Sequence, residues 1–310
     1  MISDVARLNL AVLGVGIVTV GAVFALATPF QDGEYALSPY CTQAQADLHI
    51  IGKAAYAADV ETGAVLYAKN ASAQLPLASI TKIMTVISAS EILPKESVVV
   101  VTKEALEPEG DSGLYENERW RVPDLVDFTL MASLNDGARA LALSSAALYG
   151  KGDDWFVEVM NMKARTIGLS QTYFLNDTGL DISSSTAGAY GSAHDVAEMF
   201  RYAITSTPID FQGSTEPART FVSLNDKEHR ALNTSESGVF LDNAIVSKTG
   251  FTDLAGGNLA VVFEPFIGKP VVAVVLGSTR EGRDADMKIL AQGAKKELRR
   301  IMLCNRLYGD

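Results

Sequence analysis

The chain has 310 residues, 48% of them apolar and 20% charged, with a net charge of −11. That composition supports a large packed core and excludes a disordered chain. The acidic balance argues against a nucleic-acid binder, and the densest basic stretch, Lys295-Lys296 with Arg299-Arg300, also carries Glu297 and reads as a solvated helix face.

Leu10 to Ala27 is a run of 18 residues without a charge. At about 1.5 Å per residue, such a helix crosses most of a hydrocarbon core. Arg7 precedes it, and Ala25-Leu26-Ala27 fits the small-x-small rule for signal cleavage. Residues 1–30 are therefore expected to be a transmembrane anchor or a signal peptide, residues 31–50 a linker with a short helix, and residues 51–310 one folded domain. Either fate of the first segment puts the rest of the chain outside the cytoplasm. The two cysteines, Cys41 and Cys304, flank almost the whole folded region. They are either a disulfide joining its ends or two free thiols. No Cys/His cluster is present, so neither a metal nor another cofactor is expected.

In chain order, Gln45 to Ile51 reads as the short helix, and Lys53–Val60, Glu61-Thr62-Gly63 and Ala64–Ala68 read as strand, turn and strand. Ile80 to Leu93 is a buried helix stopped by Pro94, and Val98 to Thr102 is a small strand. Pro123 to Leu148 reads as one helix with Pro123 in its first turn. Trp155 to Ile167 is another helix, ended by Gly168. Ser192-Ala193-His194-Asp195 resembles a capping box ahead of a helix from Val196 to Thr205. Asn243–Lys248, Asn258–Phe263 and Val271–Gly277 are strands, and a helix from Arg283 to Leu303 closes the chain. The expected fold class is α/β of the α+β type. An antiparallel sheet is built from both chain ends and flanked by helices, with an all-helical subdomain inserted between its halves.

Three short motifs carry chemistry. Ser79-Ile80-Thr81-Lys82 is the one S-x-x-K of the sequence. Its spacing puts a hydroxyl and an amine on one helix face. The Ser79 N–H then lies in the first turn, where backbone donors lack helical partners and the helix end favours negative charge. Lys248-Thr249-Gly250 ends an apolar strand. Its backbone can pair with an extended peptide, its side chains suit a carboxylate, and Gly250 permits close approach. Ser133-Leu134-Asn135 lies in an apolar helical segment where its polar groups need partners. A second copy, Ser223-Leu224-Asn225, sits among Asp226, Lys227 and Glu228 and reads as a strand end and turn. Each motif alone is weak. Their order, with gaps of 54 and 115 residues, is specific.

Together they resemble the S-x-x-K, S-D-N and K-T-G set of β-lactamases and penicillin-binding proteins. The sequence resembles the D-alanyl-D-alanine carboxypeptidases, the low-molecular-mass penicillin-binding proteins of the β-lactamase/transpeptidase-like superfamily. The likeness extends through Ala57–Asn70, Leu77–Thr85, Thr172–Leu180, Leu232-Asn233-Thr234 and Lys248–Asn258. It implies that Ser79 attacks the carbonyl between two D-alanines and that Lys82, held neutral, takes its proton. It gives Ser133 the relay of a proton to the leaving amine, and Asn135 the orientation of Lys82 and the substrate amide. The Ser79 and Phe251 N–H groups would form the oxyanion hole. Thr249 and Arg283, which lies 35 residues beyond Lys248, would hold the terminal carboxylate. Desolvation beside Lys248 would favour the neutral amine. None of the histidines, His49, His194 and His229, falls in the three motifs, and each reads as a surface or capping-region residue.

The implied partners are a peptidoglycan stem peptide ending in D-Ala-D-Ala, β-lactams as covalent inhibitors, and the membrane through the N-terminal segment. The implied place is the cell envelope, at the outer face of the cytoplasmic membrane or exported. The sequence departs from the pattern at the bulky Leu134 and at Phe251. The extra β domain and amphipathic C-terminal anchor of many relatives are not expected here, and the N-terminal run is expected to replace that anchor. A class A-like β-lactamase needs a Glu three residues before Leu175-Asn176, where Thr172 stands. A DD-transpeptidase remains a rival because an amine can replace water. An inactive cell-wall peptide-binding module is the rival outside enzymes.

Overall fold

The computed structural model describes residues 47–308, except 111, 208, 210, 236–240 and 242. The expected anchor or signal segment, most of the linker and Cys41 lie outside the described residues.

Five antiparallel strands form the main sheet: β1 (Ala54–Asp59), β2 (Val65–Lys69), β10 (Ala244–Thr252), β11 (Gly256–Phe266) and β12 (Lys269–Ser278), in the order β10-β11-β12-β1-β2. The two chain ends meet where β1 pairs with β12. Both sheet faces are covered, so these strands read as continuous apolar runs. The period of two then sorts the residues between two cores. Ala54, Tyr56 and Ala58 of β1 with Val272, Val274 and Leu276 of β12 face the helices of the insert. Ala55, Ala57, Val271, Ala273 and Val275 face the C-terminal helix.

Between β2 and β10 run α1 (Thr81–Ile92), α2 (Val122–Ala132), α3 (Asn135–Leu148), α4 (Asp153–Ile167) and α5 (Ala193–Ser206). Nine of the twelve residues of α1 are buried, as expected of a helix packed on all sides. Ser192 caps α5 by accepting the Asp195 N–H at 3.0 Å. The insert also holds short strands: β3 (Leu75–Pro76), β6 (Tyr173–Phe174) and β7 (Ala189–Gly191) in one small sheet, β4 (Val98–Val100) with β5 (Arg119–Arg121), and β8 (Ala218–Val222) with β9 (Glu228–Leu232). The C-terminal helix α6 (Gly282–Tyr308) covers the other sheet face.

Three local expectations are corrected. The described part of Gln45–Ile51 is not helical. That segment runs along α6 instead, and the Asp286 carboxylate accepts the Ile51 and Gly52 N–H groups at 2.9 Å each. The single helix over Pro123–Leu148 is two helices, broken where Ser133 takes a left-handed conformation (φ 61°) and caps α2. His229 is buried rather than at the surface. Alternation along β9 turns it inward, where its Nε2 lies 2.8 Å from Oε1 of the buried Glu118.

Cys304 is disulfide-bonded, and Cys41 is the one other cysteine of the chain. Among the described residues, no helix is long and apolar enough to cross a membrane.

Candidate active site

Ser79 sits in a 3-10 turn, Ala78–Ile80, that leads into α1. The turn is forced to an unusual shape, because Ala78 has φ 50°. Two backbone approaches hold it there. A Cβ at Gly179 would lie 2.0 Å from the Ala78 carbonyl oxygen, and Gly179 itself has φ +82°. A Cβ at Gly250 would lie 2.8 Å from the Leu77 carbonyl oxygen and 3.2 Å from the Ser79 nitrogen. Only glycine lets the 179 loop and strand β10 close on the serine from two sides. Asn258 completes the clamp from β11. Its buried amide donates to the Pro76 and Leu77 carbonyls at 2.9 and 3.0 Å and accepts the Gly277 N–H at 2.8 Å.

Lys82 follows one turn later and is fully buried. Its Nζ lies 2.8 Å from Ser79 Oγ, 2.7 Å from Asn135 Oδ1 and 3.0 Å from the Thr178 carbonyl oxygen. The helix break at Ser133 puts Asn135 at the start of α3, and its amide donates to the Glu109 carbonyl at 2.8 Å. Asp136 fixes that start by accepting the Gly113 and Leu114 N–H groups at 2.8 Å each. The Thr178 carbonyl belongs to a turn organised by Asn176, whose Oδ1 accepts the Gly179 N–H at 2.7 Å.

Lys248 is buried on β10. Its Nζ reaches Ser133 Oγ at 2.8 Å and the Thr249 carbonyl at 2.9 Å. Strand β10 is a sheet edge, covered at Ser247 by Ser214, whose Oγ accepts the Ser247 N–H at 3.1 Å. N–H groups on one strand alternate in direction. The Thr249 and Phe251 N–H groups therefore share the outward direction of Ser247, toward Ser79. The Thr249 hydroxyl lies 2.6 Å from that of Thr234. Arg283, at the start of α6, donates to the Gly250 and Thr234 carbonyls at 3.3 and 3.1 Å. Burial pulls its pKa below the ordinary arginine value, while Asp284 pulls the other way.

The structure thus brings Ser79, Ser133, Asn135, Thr249, Gly250, Phe251 and Arg283 to one cleft, with Lys82 and Lys248 bonded beneath it. Thr172 gives its hydroxyl to Asp195 at 2.9 Å and does not line the cleft. Four further residues belong to the site or its support. Thr234 and Arg280 line the cleft, Arg280 with its guanidinium 4.9 Å from the Phe251 ring centre. Asn258 holds the serine turn. Arg139 pairs with the buried Asp177 at 3.0 Å behind the Thr178 turn. Of these, Thr234 and Asn258 left a sequence signal: Thr234 in the stretch Leu232-Asn233-Thr234, and Asn258 as a polar side chain opening the apolar run Leu259–Phe263.

A profile of the family described as D-alanyl-D-alanine carboxypeptidase matches residues 41–280. The chain belongs to the D-alanyl-D-alanine carboxypeptidase family. It is 31% identical to the D-alanyl-D-alanine carboxypeptidase DacF of Bacillus subtilis, over 76% of this chain and 60% of DacF. It is also 31% identical to a D-alanyl-D-alanine endopeptidase of Pseudomonas aeruginosa, over 70% of this chain and 68% of that protein. In fold it is similar to the ampicillin-bound penicillin-binding protein D2 of Listeria monocytogenes, with a TM-score of 0.69 and 27% identity, over 81% of this chain and 99% of that one. The chain spans about 60% of the length of DacF.

Proposed function

We propose that this chain is a serine DD-carboxypeptidase that removes the terminal D-alanine from peptidoglycan stem peptides through an acyl-enzyme on Ser79. The observation that carries the reading is the Lys82 amine 2.8 Å from Ser79 Oγ, buried among neutral acceptors. Such burial favours the uncharged amine, which can accept the serine proton.

In this reading the peptide lies along the outer edge of β10. Its terminal carboxylate meets the Thr249 and Thr234 hydroxyls and the charge of Arg283. Ser79 Oγ attacks the penultimate carbonyl as its proton passes to Lys82. The resulting oxyanion faces the Ser79 and Phe251 N–H groups, donors that are in place before charge develops. The proton taken up by Lys82 passes through the Ser133 hydroxyl, polarised by Lys248, to the leaving amine as the C–N bond breaks, and Lys82 is neutral again. Free D-alanine departs. Water then attacks the acyl-enzyme and gives a proton to Lys82, which returns it to Ser79 Oγ as the ester bond breaks and the shortened peptide leaves. β-Lactams enter the same sequence at the first step and are held as the ester. The N-terminal apolar run would place this chemistry at the outer face of the cytoplasmic membrane, whether retained as an anchor or cleaved after export.

Full-length protein should be labelled covalently by a fluorescent penicillin, and Ser79→Ala should not. Wild-type protein without an adduct by intact-mass measurement would overturn the acyl-enzyme. A peptide ending in D-Ala-D-Ala should then release free D-alanine. Peptide dimers would instead support a transpeptidase. Cleavage confined to cross-linked muropeptides would support an endopeptidase like the Pseudomonas relative.

A further inference from the structure

At the end of α6 remote from the cleft, the surface reverses the charge of the rest of the molecule. From Asp286 to Tyr308 the helix carries six Lys/Arg and two acids, in a chain whose net charge is −11. Asp286 is buried and occupied by the Ile51 and Gly52 N–H groups, and Glu297 is paired with Arg300 at 2.6 Å. That leaves five exposed cations, Lys296 together with Lys288, Lys295, Arg299 and Arg306. The last four are spaced by seven, four and seven residues, which aligns them on one stripe. Among the described residues, none of the four makes an ion pair.

The stripe has an apolar border. The turn between β11 and β12 presents Ile267, which is 97% exposed, and the last turns of α6 present Leu307 at 72%, Leu303 at 54% and Met302 at 40%. Phe266 joins the turn to the helix, with Lys295 Nζ 5.7 Å and Arg299 Cζ 5.9 Å from its ring centre. The acids at this turn are engaged: Glu264 accepts the Gly268 N–H at 2.7 Å, and Glu61 pairs with Lys269 at 2.7 Å.

We infer that this basic stripe and the Ile267 turn form a docking face for a membrane surface rich in anionic lipid. Cations that attract headgroups beside apolar side chains that enter the interface are the two components of such binding. A soluble anionic polymer would use the cations and leave Ile267 without a role, so the apolar border favours lipid. The disulfide gives the same direction. Cys304 lies in this part of α6, and Cys41, the one other cysteine, lies 14 residues beyond Ala27, where the apolar run ends. Fourteen residues span at most about 50 Å. Where that run anchors the chain, the tether limits the distance of the far end of α6 from the bilayer to about 50 Å. Arg283 stands in the cleft 23 residues before Arg306 on the same helix. At about 1.5 Å per residue, the cleft is then held roughly 35 Å away along the helix axis.

The test places a reporter on the turn of the full-length chain. Ile267→Trp protein is reconstituted into nanodiscs of phosphatidylcholine with or without phosphatidylglycerol, made with brominated acyl chains, and its emission is read against the wild-type background of Trp120 and Trp155. In anionic discs the added emission should shift to shorter wavelength and be quenched. Both effects should shrink in neutral discs, in high salt, and when Lys295→Glu and Arg299→Glu are added. Penicillin labelling of Ser79 shows that each variant is folded. Unshifted, unquenched emission in anionic discs overturns the inference. So does a shift produced by soluble polyphosphate alone, and so does quenching that ignores both charge reversal and salt.

Discussion

The lysines of the cleft and Lys163 of the helical insert are all buried, but in opposite company. Lys82 meets a hydroxyl, an amide and a backbone carbonyl, and Lys248 meets a hydroxyl and a backbone carbonyl. Lys163 forms an ion pair with Glu91, and Tyr202 bridges the two by accepting from Lys163 at 3.3 Å and donating to Glu91 at 2.7 Å. Burial and the carboxylate together push the Tyr202 hydroxyl pKa upward, so it stays a donor. A buried amine matched by a carboxylate is fixed as a cation and serves the fold. One matched by neutral oxygens can lose its proton and serve chemistry.

The sharpest way to break this contrast is to remove each amine. Lys82→Ala should slow penicillin acylation of Ser79 by roughly 100- to 10,000-fold, the range of a lost general base. Its melting temperature should stay level or rise, because a desolvated amine is a burden on folding that function retains. Stopped-flow acylation and calorimetry on one preparation read both. A Lys82→Ala protein that acylates at the wild-type rate would remove Lys82 from the mechanism. Lys163→Met should do the reverse. It leaves Glu91 without its cation, and because Glu91 is 28% exposed the expected loss is about 1–3 kcal/mol rather than that of a fully buried pair. Acylation should stay within about twofold of wild type, since Glu91 and Tyr202, which Lys163 bonds, do not line the cleft. Urea unfolding gives the first quantity and the labelling rate the second.

How much of this was legible in the sequence follows the same division. The strands of the main sheet were readable because their apolar runs are long and bounded by turns. The S-x-x-K spacing was readable because helix periodicity is local. The break at Ser133 was not. Apolar residues continue across it, and a left-handed serine carries no mark comparable to a glycine. With that break unseen, nothing in the sequence said how Asn135 would turn toward Lys82. The third acceptor of Lys82 was hidden for a different reason: it is the backbone carbonyl of Thr178, and any residue there supplies one. His229 was misread because the alternation of Glu228–Leu232 acquires an inside only when β8 and β9 pack onto α2, with Phe128 of that helix against its ring.

The smallest expected effect probes the support of that carbonyl. Asp177, next to Thr178, is buried, and desolvation raises its pKa further than Arg139, the main opposing charge, lowers it. Glu198 is raised in the same way, with burial outweighing Arg201. For a raised acid, the folded state binds the proton more tightly than the unfolded state. The resulting stabilisation is complete below the ordinary carboxylate pKa of about 4 and is lost as pH rises through the folded-state value. Asp177→Asn keeps an acceptor for Arg139 and removes the titration. The stability of the variant relative to wild type should therefore grow as pH rises from about 4 toward neutrality. Guanidinium unfolding at a series of pH values measures that difference directly. A difference that falls with pH would mean that Arg139 holds Asp177 as an anion throughout. The pair behind the Thr178 turn would then belong with Lys163 and Glu91, on the structural side of the contrast.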